Sequence, residues 1–179
     1  MRTARAPSHG ERGISFVELL IVVFLIFVLA MVAATYSLAW ISIEELRSAV
    51  YQTQSLLQLA RVESVTRNRP CAFVVNTATG RVQVRDLNGT SSTADDITLA
   101  DVTVSSRVSF ASPDGNPPIT LTDLTGSNWG AVFASDGSVS AGAGVITMRG
   151  KERYNRISLY GAGGTRVERW EQSAWRTGS

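Results

Sequence analysis

Gly13-Ile14-Ser15-Phe16-Val17-Glu18-Leu19-Leu20-Ile21-Val22-Val23-Phe24-Leu25-Ile26-Phe27-Val28-Leu29 is the stretch on which the reading of this chain turns. One carboxylate stands near the start of an apolar run, and no charged residue follows it until Glu44. About 20 such residues cross a bilayer as a helix, so residues 14–43 are long enough to span. Arg2, Arg5 and Arg12 precede the run, whereas Glu44 and Glu45 follow it, with Arg47 behind them. Basic flanks stay on the cytoplasmic side. The expectation is a single pass through the inner (cytoplasmic) membrane, with the C-terminal domain periplasmic or extracellular. A secretory signal peptide has an apolar region of only about 7–15 residues, ending at a small-residue cleavage site; this run is longer and carries Glu18.

A carboxylate inside an apolar segment is costly and usually has a specific partner. Taken alone, Glu18 also reads as an interfacial glutamate at the membrane edge. In context, the stretch from Gly13 to Val22 resembles the prepilin signature of type IV pilins and type II secretion pseudopilins. The resemblance implies that a prepilin peptidase cuts after Gly13 and that Ile14 becomes the new, methylated N-terminus. It further implies that Glu18 pairs with a neighbouring subunit's terminal amine during assembly. Opposite charges brought together in low dielectric satisfy each other, and leaving one unpaired is expensive. The commoner pattern has Phe first and a helix-kinking Pro further on; Ile14 and the absence of that proline point to a straighter helix.

Between Gly13 and Pro70 there is no glycine and no proline, the two residues most damaging to a helix interior. A helix of ~55 residues would run roughly 80 Å. Its outer half, residues 44–69, places Leu46, Ala49, Val50, Thr53, Leu56, Leu57, Ala60 and Ser64 at steps of three and four, an apolar stripe suited to packing on a sheet. Arg47, Gln54, Gln58, Arg61 and Arg69 form the opposite, solvated face. Pro70 disfavours helix at Arg69 and marks the exit.

After Pro70 the period changes to alternation. Cys71-Ala72-Phe73-Val74-Val75 and Arg81-Val82-Gln83-Val84-Arg85 flank a hairpin turn at residues 76–80. Further strands are expected at residues 97–104, 107–111, 119–124, 129–134, 144–148, 157–160 and 166–170. Short strands separated by turn residues favour antiparallel sheets. The predicted fold is therefore α+β: a long N-terminal helix whose first half spans the membrane, packed through its second half on antiparallel β-sheets. The organisation is a leader over residues 1–13, a membrane half-helix over 14–43, a periplasmic half-helix over 44–69 and a β-rich domain over 70–179.

Two further stretches sharpen the resemblance. Ala60-Arg61-Val62-Glu63-Ser64 resembles the Ala-Arg-x-Glu-Ala run that precedes the first strand in minor pilins and pseudopilins of the GspH/FimT type. Phe133-Ala134-Ser135-Asp136-Gly137 resembles the same group's aromatic-to-Asp-Gly turn. The chain also lacks the cysteine pair that closes the C-terminal loop of major pilins.

Residue counts narrow the chemistry. His9 and Cys71 are the only histidine and cysteine, so a chain starting at Ile14 has no Ser-His-Asp or Cys-His arrangement and no His/Cys metal site. No disulfide forms within one chain. Asp86, Asp95, Asp96 and Asp101 could offer oxygen ligands to calcium, but EF-hand spacing is absent and a solvated acidic loop is the simpler reading. Gly161-Ala162-Gly163-Gly164 lacks phosphate-loop spacing and reads as a hairpin turn that brings Arg156 and Arg166 into one neighbourhood. Nothing calls for a cofactor or for enzymatic activity.

The formal charge of +2 resides in the first 13 residues, where Arg2, Arg5 and Arg12 stand against Glu11. The rest divides into a net-acidic middle and a basic tail from Val145 onward. Some minor pilins of the FimT type bind DNA through a C-terminal Gly-Arg-x-Arg motif. The nearest match, Gly164-Thr165-Arg166-Val167-Glu168-Arg169, sets its arginines three apart, on opposite faces of a strand. A DNA surface would draw on Arg149, Lys151, Arg153, Arg156, Arg166 and Arg169, with phosphate contacts making affinity salt-sensitive. Trp170 and Trp175 offer stacking faces or cover one end of the core. The alternative for the tail is a basic edge that deters strand-to-strand aggregation. The expected partners are other pilins or pseudopilins, the prepilin peptidase and the inner membrane. The leading reading is a minor subunit of a type II secretion pseudopilus or type IV pilus. The alternatives are a DNA-binding minor pilin for natural transformation and an isolated single-pass membrane protein with a β-domain.

Overall fold

The gap in glycine and proline becomes one helix. In the computed structural model, which describes residues 15–89 and 95–177, α1 runs Phe16–Arg67. It ends two residues short of the boundary expected at Arg69. Asn68 takes a left-handed φ of 52°, the Asn68 N–H donates to the Val65 carbonyl at 3.2 Å and the Arg69 N–H to the Ser64 carbonyl at 3.1 Å. This pair of bonds satisfies carbonyls the helix would otherwise leave open, and Pro70 then prevents resumption. Two units meet between Ala39 and Trp40.

Among the described residues of the second unit, eleven strands follow the helix: β1 Cys71–Asn76, β2 Arg81–Asp86, β3 Ile97–Thr103, β4 Ser109–Phe110, β5 Thr122–Thr125, β6 Asn128–Phe133, β7 Val139–Ala141, β8 Gly144–Arg149, β9 Tyr154–Leu159, β10 Thr165–Glu171 and β11 Ala174–Thr177. All pairings are antiparallel. One sheet has the order β3-β2-β1-β6-β5, with β7 also on β6; the other has β11-β10-β9-β8-β4. The 76–80 hairpin turn forms as expected, with Gly80 at a φ of 68° and the Asn76 side chain accepting from the N–H groups of Ala78 and Thr79.

Several strand boundaries differ from expectation. The strand expected over 119–124 belongs to two sheets. Ile119 bridges Ile146, and the Thr147 N–H donates to the Pro118 carbonyl at 2.6 Å, so residues 118–120 continue β8's edge where β4 leaves it. The chain then crosses to β6 as β5. Pro117 and Pro118, lacking N–H groups, suit a segment that contributes carbonyls to an edge. The strand expected over 107–111 is only β4, and β9 starts at Tyr154 because the polar triplet Tyr154-Asn155-Arg156 pairs with Arg149, Met148 and Thr147. Strands β7 and β11 have no counterpart in the apolar alternation.

All eight residues of the stripe from Leu46 to Ser64 are buried. The six apolar ones share one core with Phe73, Val75, Val82 and Val84 of the first sheet and Ile146, Met148, Ile157 and Leu159 of the second. Cys71 is fully buried, and burial, reinforced by the Asp86 charge, pushes its thiol up to about 11. A thiol held protonated and covered is inert. Cys71 should therefore resist alkylation in the folded chain and react stoichiometrically in denaturant, read by mass spectrometry. Replacing Leu57, 1% exposed at the centre of the stripe, by alanine should cost about 2–5 kcal/mol, measured by urea unfolding in detergent.

Candidate functional site

The first candidate surface is the apolar cylinder itself. None of the 18 residues Phe16–Ala33 is buried, and the segment is long and apolar enough to cross a membrane. Phe16, Phe24 and Phe27 are each at least 65% exposed. A soluble protein does not leave so large an apolar surface to water, so this segment requires lipid or other chains around it. Glu18 lies in the first helical turn, where the Ser15 carbonyl accepts from the N–H groups of Glu18 at 2.9 Å and Leu19 at 3.1 Å. A carboxylate here complements the positive end of the helix dipole. Gly13 and Ile14 lie outside the described residues.

The stretches Ala60–Ser64 and Phe133–Gly137, far apart in sequence, meet in the fold. Gly137 turns at a φ of 79°, and a methyl group there would lie 3.0 Å from Val65 Cγ2 and 3.3 Å from Arg61 Nε. Gly163 turns at 78°, where a methyl would lie 2.2 Å from the Gly137 carbonyl oxygen and 2.9 Å from Arg61 Nε. Arg61 thus runs across two glycine turns, one from each sheet. Asp136 accepts from the Ser138 N–H and hydroxyl at 2.9 and 2.6 Å; these bonds hold its carboxyl below the usual range and brace the turn. The acidic residues weighed for calcium are engaged separately: Asp101 with Arg81 and Gln83, and buried Asp86 with Arg67 and the Asn88 N–H.

The six basic residues proposed for DNA do not share one surface. Arg156 and Arg166 do lie close, as the glycine turn implied, on the outer face of β9 and β10. Glu168, 9% exposed, lies with them. Its Oε2 accepts from Arg156 Nη2 at 2.6 Å, and its Oε1 is 3.8 Å from Arg166 Nε. Trp175 covers Arg156, ring centroid 4.3 Å from the guanidinium carbon, and meets Trp170 edge-on at 5.1 Å. Arg149 leans on Tyr154. Arg169 occupies the opposite face, across from Asn155, in a cleft of about 460 Å³ that it lines with Arg153 and the helix residue Arg47.

Reading along the chain missed Asp114. Its carboxylate accepts from Trp175 Nε1 at 3.3 Å, tying the loop before Ile119 to the last strand. Hydrogen bonds from Ser112 foremost, then Trp175 and Asn116, hold its carboxyl well below the ordinary carboxylate range.

The helix with its embedded carboxylate, joined to two antiparallel sheets, defines a pilin-like α+β subunit. Residues 49–163, more than half of the chain, match the family model described as type II transport protein GspH, and the chain belongs to that family. No curated protein matches it. Among solved structures, the type IV minor pilin FimU of Pseudomonas aeruginosa is similar at 14% identity and a TM-score of 0.49, over 74% of this chain and 92% of that one.

Because folding lowers the Asp114 pKa, its stabilisation is complete above the unfolded value of 3.8 and is lost as pH falls below it. Asp114→Asn should be less stable than the parent at pH 6. The gap in urea midpoint should narrow steadily as pH drops below 3.8.

Proposed function

We propose that this chain is a minor pilin or pseudopilin subunit of a type II secretion pseudopilus or type IV pilus. It is made as a precursor, cut after Gly13, anchored in the inner membrane by its apolar half-helix, and drawn into the fibre by that same segment. The observation that carries this reading is the fully exposed run Phe16–Ala33 with a carboxylate in its first helical turn, joined to a domain of the GspH family. Neighbouring helices replace lipid around the cylinder at little hydrophobic cost, because lipid tails are as apolar as leucine. Register then comes from charge: the amine freed at Ile14 carries +1, and Glu18 of an adjacent subunit supplies the counter-charge. The role is structural, resting on packing and pairing.

DNA uptake is the second reading, favoured by the common outer face of Arg149, Arg156 and Arg166. Glu168 opposes it, since it neutralises the centre of that face. An isolated single-pass membrane protein would need neither processing nor Glu18.

Co-production with a prepilin peptidase tests the proposal. Mass spectrometry should find a mature chain starting at Ile14. Glu18→Ala should still be processed yet fail to enter fibres, since breaking a buried pair costs about 3–5 kcal/mol. An intact Met1 with unaltered behaviour of Glu18→Ala would refute the assembly role.

A further inference from the structure

The described residues include two sizeable clefts. The larger, about 690 Å³, is lined by turn residues, Trp129 and Pro117–Pro118 without a single charge. The smaller, about 460 Å³, is different in kind. It lies between the helix and β9–β10, and three guanidinium groups line it: Arg47 from α1, Arg153 from the β8–β9 turn and Arg169 from β10. Arg47 and Arg153 form no ion pair among the described residues, and Arg169 makes one loose contact with exposed Glu171 at 3.4 Å. The only carboxylate in the lining, Glu168, is already engaged by Arg156 at 2.6 Å. In the same lining, Asn155 Oδ1 is buried and has no hydrogen-bond partner among the described residues.

From these groups we infer a site for the headgroup of an anionic, hydroxyl-bearing phospholipid. The phosphate suits the three guanidiniums, which hold oxyanions through paired N–H groups. A headgroup hydroxyl supplies the donor that Asn155 Oδ1 lacks, and buried acceptors are seldom left unpaired. The volume falls within the ~300–1,000 Å³ common for small-ligand sites. The source is a lipid, because the cleft begins where the uncharged run ends: Ile43 is in its lining, and the preceding Trp40 and Ile41 are 76% and 43% exposed. Exposed tryptophan with apolar neighbours at the end of an uncharged run is the composition of a membrane–water boundary, where phospholipid phosphates lie; Glu44 and Glu45 come next, Glu45 paired with Arg107, and Arg47 stands one turn further on. The site would hold the globular domain against the bilayer before assembly and release it when the subunit leaves the membrane. This inference rests on the membrane-anchored reading above.

The test uses the full chain purified in a neutral detergent, with phosphatidylglycerol and phosphatidylcholine supplied in equal amounts and bound lipid counted by native mass spectrometry. One phosphatidylglycerol should be retained in preference to phosphatidylcholine. The combined change Arg47→Gln, Arg153→Gln and Arg169→Gln should weaken retention by at least about tenfold, while Arg176→Gln, outside the cleft, leaves it unchanged. If the triple variant misfolds by circular dichroism, Arg153→Gln alone, on an exposed turn, should still weaken it several-fold. Equal retention by variant and parent overturns the inference. So does displacement of the lipid by millimolar inorganic phosphate, which would mark a site for free anions, or loss of duplex-DNA binding in the triple variant without any lipid preference. Carbonate extraction of cell membranes separates the two readings. Release of the chain would overturn membrane anchoring and this site together; retention without a phosphatidylglycerol preference would overturn the site alone.

Discussion

One helical face, from Leu46 to Ser64, is the constraint on which the folded domain depends. Both sheets bury their apolar sides against it in a single core, and small residues at Ala49, Ala60 and Ser64 let strands and turns come close. Gly150 shows how close: a methyl added there would lie 3.3 Å from Leu46 Cβ. Each sheet is open, and its apolar face needs a cover to leave water. The helix makes them one body. At one end, Arg61 runs over Gly137 and Gly163, and the Val139 N–H donates to the Gly161 carbonyl at 2.8 Å, linking a strand of one sheet to a turn of the other. Elsewhere, residues 118–120 run along β8 before the chain returns to the first sheet as β5. Ala60–Ser64 and Phe133–Gly137 thus supply the two halves of one steric contact.

The same helix changes the character of its surface along its length. Around Phe16–Ala33 every side is apolar and exposed, so no face is set apart and orientation about the axis is free until partners supply it. From Leu46 onward the stripe selects one face. A continuous helix joining the two regimes satisfies its own backbone hydrogen bonds in either, which no open sheet edge could do in lipid. Glu18 is the exception to the uniform first half, and in the proposed assembly that one charge would specify register where packing alone is nearly degenerate.

How much of this was legible in the sequence follows from the range of the interactions. The helix, its buried stripe and the hairpin turn at residues 76–80 depend on neighbours within about four residues, and each was readable from spacing. Strands β7 and β11 were not: Val-Ser-Ala is too short to establish a period, Ala-Trp-Arg-Thr has no apolar alternation, and β11 is held by its partner. The turn before it uses Gln172 and Ser173 at φ values of 50° and 65°, a left-handed pair without the glycine that usually signals one. For the candidate sites, Glu18 stood out because it breaks a local pattern. The cleft was illegible, since Arg47 comes from a segment more than 100 residues before Arg153 and Arg169, and only the packing of the helix on the second sheet brings them together.

Register also decides what the basic tail means. Counted along the chain, the arginines after Val145 look like one positive field. Across β9 and β10, however, Arg156 faces Glu168, so the strongest candidate for a ligand contact is neutralised and capped by Trp175. Arg169, one residue beyond that glutamate, points to the opposite face and joins the helix instead. An attractive field needs charges that are unpaired and on one side, and this fold leaves few such charges on its outer face. A shift of β10 by one residue would reverse these assignments. The pairing of Arg156 with Glu168 therefore guards register as well as charge: it favours the one alignment that packs half-buried Val167 against the core and keeps Arg169 beside Asn155.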